Sequence, residues 1–231
     1  MAVAIARKFA SKGYYVQLAA RDADRLLPLK KDLDIRYNSN CTVHEFDALN
    51  LNEHKSFFEN LETKPTVSIS VFGLLGDNET AMINWDQAEK IIHTNYTGAV
   101  SILNIISNYY SLNKMGTIVG ISSVAGERGR QSNYMYGSAK AGFTAYLSGL
   151  RNRLFHDGVH VLTVKPGFVA TRMTENLKLP ALLTATPEEV AEVVYNGVVY
   201  KKNVVYVKWY WRWIMYVIKA IPEFLFKKLR L

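Results

Sequence analysis

Tyr136 and Lys140 stand four residues apart in the run Tyr136-Gly137-Ser138-Ala139-Lys140, a spacing that puts both side chains on one face of a helix, one turn apart. A phenol ionises near pH 10 in water, so it is a poor base near neutrality. An ammonium beside it favours the phenolate and makes it usable for acid–base work. The same spacing also occurs in surface pairs that only support a helix, so neighbours have to decide. Ser123 stands thirteen residues upstream, at the end of an apolar run (Ile118-Val119-Gly120-Ile121), and Asn95 begins Asn95-Tyr96-Thr97-Gly98 further upstream. Pro166-Gly167-Phe168-Val169-Ala170-Thr171 follows a second apolar run downstream.

The elements that must position these residues alternate along the chain. Short β-branched and aromatic runs at 14–20, 66–72, 116–121 and 159–164 predict buried parallel strands, and shorter ones at 42–46 and 204–207 add two more. Apolar residues recurring at three and four predict helices over 24–37, 86–110 and 136–156. Thr186, Pro187 and Glu189 read as N-cap, N1 and N3 of a further helix. The alternation implies an α/β fold, a doubly wound Rossmann-type parallel sheet with helices on both faces and ligands at the carboxyl ends of its strands. The chain opens on a helix (AVAIARKFASKG) leading straight into a strand, so the usual first strand and glycine-rich loop are expected to be lacking. A start site placed too far downstream would explain this, and in-frame codons for a strand and Gly-x-x-x-Gly upstream would support it. The expected organisation is an oxidoreductase domain over 1–207, incomplete at its N-terminus, and a tail over 208–231.

The order Asn95, Ser123, Tyr136-x-x-x-Lys140 and Pro166-Gly167 resembles the short-chain dehydrogenase/reductase family over about residues 1–207. That resemblance implies hydride transfer between a nicotinamide cofactor and a carbonyl or secondary alcohol. It assigns the acid–base role to Tyr136, the substrate-oxygen hydrogen bond to Ser123 and the cofactor ribose to Lys140. Asn95 would hold a water that links Lys140 to solvent. It further implies that Asp47 meets the adenine amino group and that Ala48 contributes backbone beside it. Val169 would meet the nicotinamide amide through its backbone, in a turn shaped by Pro166 and Gly167, and Thr171 would bind the diphosphate. The family's usual Asn-Asn-Ala-Gly is replaced by Ser70-Val71-Phe72-Gly73, in which Gly73 alone keeps the close backbone approach. At Ala19-Ala20-Arg21 no acid is present for a ribose 2′-hydroxyl, while Arg21 offers a cation to a 2′-phosphate, which favours NADP(H). The family further implies a homo-oligomer built on the two long helices.

Composition narrows the alternatives. The 231 residues are 49% hydrophobic and carry a single cysteine, Cys41, which excludes an internal disulfide and fits a reducing cytoplasmic setting. The N-terminus does not read as a signal peptide. Five histidines form no ligand set, so no metal is expected. The formal charge of +8 resides mostly in residues 201–231, where eight basic residues face Glu223 alone, a net +7. Charge confined to a tail, without a recognition motif, argues against nucleic acid.

The tail, YVKWYWRWIMYVIKAIPEFLFKKLRL, holds three of four tryptophans. The run 209–221 is too short to cross a bilayer, which takes about 20 apolar residues. As a helix broken at Pro222 it suits peripheral contact with the inner face of a membrane, a cover over the substrate pocket, or a subunit contact. A similar tail, with Gly73-Leu74-Leu75-Gly76-Asp77, is similar to that of bacterial family members close to decaprenylphosphoryl 2-keto-ribose reductase, which implies a lipid-linked or amphipathic keto substrate. The competing expectation is a catalytically silent membrane-associated or partner-binding protein, motivated by the missing phosphate loop and the tail.

Overall fold

The computed structural model describes residues 1–175 and 179–229. Its elements run α1 (Ala2–Ala10), β1 (Gln17–Ala20), α2 (Leu27–Tyr37), β2 (Thr42–Glu45), α3 (His54–Glu59), β3 (Val67–Ser70), α4 (Asn78–Ile83), α5 (Trp85–Ile92) and α6 (Gly98–Asn113). They continue through β4 (Thr117–Ile121), α7 (Tyr134–Leu154), β5 (His160–Pro166), β6 (Phe168–Val169), β7 (Thr184–Ala185), α8 (Pro187–Val199), β8 (Val204–Val207), α9 (Tyr210–Ala220) and α10 (Glu223–Phe226).

β3, β4, β5 and β8 form one all-parallel sheet in that spatial order. Its middle strands are apolar on both faces, because each face is covered. Val119, Ile121, Leu162 and Val164 point into a cluster with α1 and α8, and their neighbours Ile118 and Val161 point into another with α3, α6 and α7. The period of two that separates the strand faces explains why these runs read as continuously hydrophobic. α8 starts where Thr186 accepts from the Glu189 amide and Glu189 reaches back to the Thr186 amide, the capping box expected there.

Two expectations are modified. The single continuous sheet is divided, since β1 pairs in parallel with β2 alone and no ladder joins β1 to β3 among the described residues. Side chains bridge the division: Ile5 and Phe9 of α1 share a core cluster with Val16, Val67 and Ile69. The single helix expected over 86–110 is interrupted by a five-residue π segment, His93–Thr97, between α5 and α6. A hydrophobic period cannot report this, because a widened turn leaves the same face inward. α3 and α4, six residues each, are too short for a periodic signal. Beyond α8 the tail folds into α9 and α10 with the break at Pro222, as its sequence suggests, and Arg230 lies outside the described residues.

Candidate active site

β4 delivers the chain into a turn, Val124–Gly126, that Ser123 caps by accepting the Ala125 amide at 3.1 Å. This turn lies flat against α7. A Cβ on Gly126 would come within 2.7 Å of the Lys140 and Ala141 backbone, so only glycine permits the approach. Ser122 strengthens the contact by donating to the Lys140 carbonyl at 3.1 Å and sharing a 2.6 Å hydrogen bond with Thr144. Strand and helix are thereby locked in register, and Ser123, Tyr136 and Lys140 are brought to one place.

Burial sets the electrostatics of this trio. It pushes the Tyr136 phenol up to about 12, while the Ser123 hydroxyl, near enough to hydrogen-bond it, pulls the other way. Burial alone lowers Lys140 to about 8. Lys140 is 4% exposed, donates from Nζ to the Ile121 carbonyl at 3.0 Å, and has no carboxylate partner among the described residues. Its Nζ lies 5.7 Å from the Tyr136 ring centroid. A buried cation with one backbone acceptor keeps two donors for a polar ligand.

Asn95 is fully buried within the π segment. Its Nδ2 donates to the carbonyls of Leu74 at 2.6 Å and Ile91 at 2.8 Å, and its Oδ1 accepts the Leu74 amide at 3.2 Å. The side chain thus serves the Ile91 carbonyl four residues back, where the helical ladder is interrupted, and pins the segment after β3. A Cβ on Gly73 would stand 2.8 Å from Asn95 Oδ1 and 3.4 Å from Lys140 Nζ, so those two atoms converge over one bare stretch of backbone.

The loop after β5 forms the other wall. Pro166 is buried at the strand end. Gly167 carries the indole of Trp211, which a Cβ would meet at 2.0 Å, and Phe168 packs edge-on against the same indole at 5.4 Å. Val169 is buried in β6, and its carbonyl accepts from Thr174. Thr171 and Thr174 form a reciprocal cap of the turn Arg172–Thr174. A cleft of about 480 Å³ opens beside them, lined by Ala170, Ala181 and Thr184.

Arg21, Asp47 and Ala48 lie apart from the trio, at the carboxyl ends of β1 and β2. Arg21 is exposed and makes no hydrogen bond or ion pair among the described residues. Asp47 accepts the Leu49 amide at 2.9 Å through one carboxylate oxygen. The Ala48 carbonyl presses on Gly98, where a Cβ would clash at 2.2 Å.

Sequence reasoning missed Glu127 and Arg128, just past Ser123. Glu127 is nearly buried, with Lys165 at 2.9 Å, Lys219 at 3.0 Å and the Tyr206 hydroxyl on it. Burial works to raise its pKa, but those three donors prevail and hold it below the usual carboxylate value. Arg128 donates to the carbonyls of Ile218, Lys219 and Ile221 at the end of α9 and pairs with Glu223 at 2.8 Å. Two adjacent opposite charges, Glu127 and Arg128, directly after the apolar Val124-Ala125-Gly126 were the available signal.

A parallel α/β sheet with Ser, Tyr and Lys gathered at the carboxyl end of its central strands defines a dinucleotide-fold oxidoreductase. The family model for short chain dehydrogenase matches residues 1–181, and the chain belongs to that family. It is 38% identical over 230 residues to an uncharacterised oxidoreductase of Mycobacterium tuberculosis, covering 97% of this chain and 91% of the relative. An uncharacterised oxidoreductase of Streptomyces coelicolor is 32% identical, with 98% and 90% covered. Among solved structures, a short-chain dehydrogenase from Sphingobium yanoikuyae in complex with NADPH superposes with a TM-score of 0.82 at 19% identity, over 98% of this chain and 91% of that one.

Proposed function

We propose that this protein is an NADP(H)-dependent reductase of a carbonyl carried on an amphipathic or lipid-linked molecule. The observation that carries the reading is the convergence of Ser123, Tyr136 and Lys140, with Lys140 Nζ and Asn95 Oδ1 meeting over Gly73. The bare backbone at Gly73, the spare donors of Lys140 and Arg21, which has no partner among the described residues, suit the ribose and 2′-phosphate of this cofactor, and the NADPH-bound relative fold is consistent with it.

NADP(H), when bound, supplies or accepts the hydride. Tyr136 gives the proton to the carbonyl oxygen in reduction and takes it back in oxidation. Ser123 donates to the same oxygen and orients it. Lys140 would hold ribose hydroxyls with its remaining donors and, as a cation one turn from Tyr136, favours the phenolate against the burial that opposes it. Asn95 acts through the backbone it pins, as a positioning residue. Arg21 would pair with the 2′-phosphate, Asp47 and Ala48 would hold the adenine, Val169 the nicotinamide amide through its backbone, and Thr171 the diphosphate. The apolar cluster of Trp211, Phe168, Leu183 and Ile214 packed behind the loop after β5 supports an amphipathic substrate.

One observation favours the silent reading: among the described residues no ladder joins β1 to β3, and phosphates in this fold sit at a glycine-rich turn beside them. Cofactor fluorescence decides. NADPH binding at least tenfold tighter than NADH is expected for the 231-residue chain or, where in-frame codons precede Met1, for the chain extended through them. Binding in neither form would leave the silent protein as the better account.

A further inference from the structure

Helix α9 is apolar on two opposite sides, and among the described residues one of them is packed against the domain. Trp211 and Met215 are buried against Val124 and Phe168, with Ile214 and Ile218 partly buried beside them. Half a turn away, Trp209, Trp213, Tyr216 and Val217 are 72, 59, 66 and 62% exposed. Phe224 and Leu225 of α10 extend this surface at 62 and 46%. So much exposed aromatic surface on one short segment calls for a partner.

Charge identifies the partner. Arg212 and Lys219 fall along one edge of the outward face, with Lys227 and Lys228 beyond α10, all exposed. No carboxylate lies within ion-pair distance of Arg212, Lys227 or Lys228 among the described residues. Glu223, the sole acid among residues 201–231, is already paired with Arg128. A second copy of the face would bring two strongly basic segments together. An anionic bilayer surface meets both features, with indole and phenol rings at the headgroup level and lysines on the phosphates. No helix among the described residues is long and apolar enough to cross a membrane, so contact is lateral.

We propose that the outward face of α9 and α10 docks this protein on an anionic lipid surface, with Trp209, Trp213 and Tyr216 inserted. The docked element belongs to the active-site wall. Arg128 caps the carboxyl end of α9 by three carbonyls and stacks on Phe226 at 3.8 Å, and Glu127 holds Lys219. Both charges sit in the loop that leaves Ser123, so the docked face is fastened directly to the loop that carries a residue of the proposed site. This extends the amphipathic-substrate reading, yet its test needs no turnover.

The test is co-sedimentation of the full chain with vesicles of phosphatidylcholine alone and of phosphatidylcholine with phosphatidylglycerol, with tryptophan emission recorded at low and high salt. Binding at least tenfold stronger to the anionic vesicles, weakened by salt and accompanied by a blue shift, is expected. Trp213→Ser with Tyr216→Ser, exposed changes that leave NADPH binding and reductase activity intact, should reduce binding about tenfold. Lys227→Glu with Lys228→Glu should remove the preference for anionic lipid. Absence of binding, equal binding to both vesicle types, or a dimer in sedimentation equilibrium that the Trp213/Tyr216 variant dissolves would overturn the proposal, the last in favour of a second copy. Loss of reductase activity with intact vesicle binding would instead count against the proposed chemistry.

Discussion

Lys140 and Arg21 are the two cations we assign to one cofactor, and the molecule treats them in opposite ways. Lys140 is 4% exposed, fixed to a strand-end carbonyl and lowered to about 8 by burial. Arg21 sits at the open end of a two-stranded pair, in solvent, touching no acid among the described residues. The contrast follows from their tasks. A group that tunes a proton transfer needs a low dielectric and fixed geometry, which a strand with neighbours on both sides provides. A group that selects a charged phosphate only has to be present and unpaired, since a bidentate guanidinium supplies its own geometry.

That comparison breaks first at the phenol. Tyr136→Phe should lower kcat by about a thousandfold with circular dichroism and NADPH affinity unchanged, because only the acid–base step is lost. Retained turnover would remove the mechanism. The next effect is a test of burial itself. Lys140 has a folded pKa near 8 against an ordinary 10.5, so between those values the unfolded chain binds the proton and the folded one does not. Raising the pH through that window therefore stabilises the fold. Relative to Lys140→Met, the wild type should gain up to about 3 kcal/mol in denaturant unfolding between pH 8 and 10.5. A flat difference would mean that Lys140 is solvated. The smallest effect belongs to the exposed cation. Arg21→Ala should raise KM for NADPH about tenfold and leave KM for NADH and kcat as they were. Equal changes for both cofactors would place Arg21 outside the phosphate site.

How far the sequence carried these assignments differs between regions for physical reasons. The strand runs around Ile118 and Val161 were legible because strands covered on both faces must be apolar at every position, and the start of α8 because a capping box is a local signal. The Tyr136–Lys140 pair was legible because helix geometry converts a spacing of four into adjacency. The π segment at His93–Thr97 was not, since it preserves the face that a hydrophobic period detects. Nor was the division between β1 and β3, since pairing is a long-range property that no local run encodes.

Sequence alone determined the family, the adjacency of Tyr136 and Lys140, the cation at Arg21 and the basic aromatic character of the tail, because each rests on residue type at short spacing. Only the tertiary structure decided that Asn95 spends its amide on Leu74 and Ile91, that Gly167 bears the indole of Trp211, and that Glu127 and Arg128 fasten the tail to the loop after Ser123. Those contacts join segments distant along the chain, up to 95 positions apart for Arg128 and Glu223. Such distances carry no periodic or motif signature, and the partners become apparent only when burial makes every unpaired charge costly and folding supplies the group that answers it.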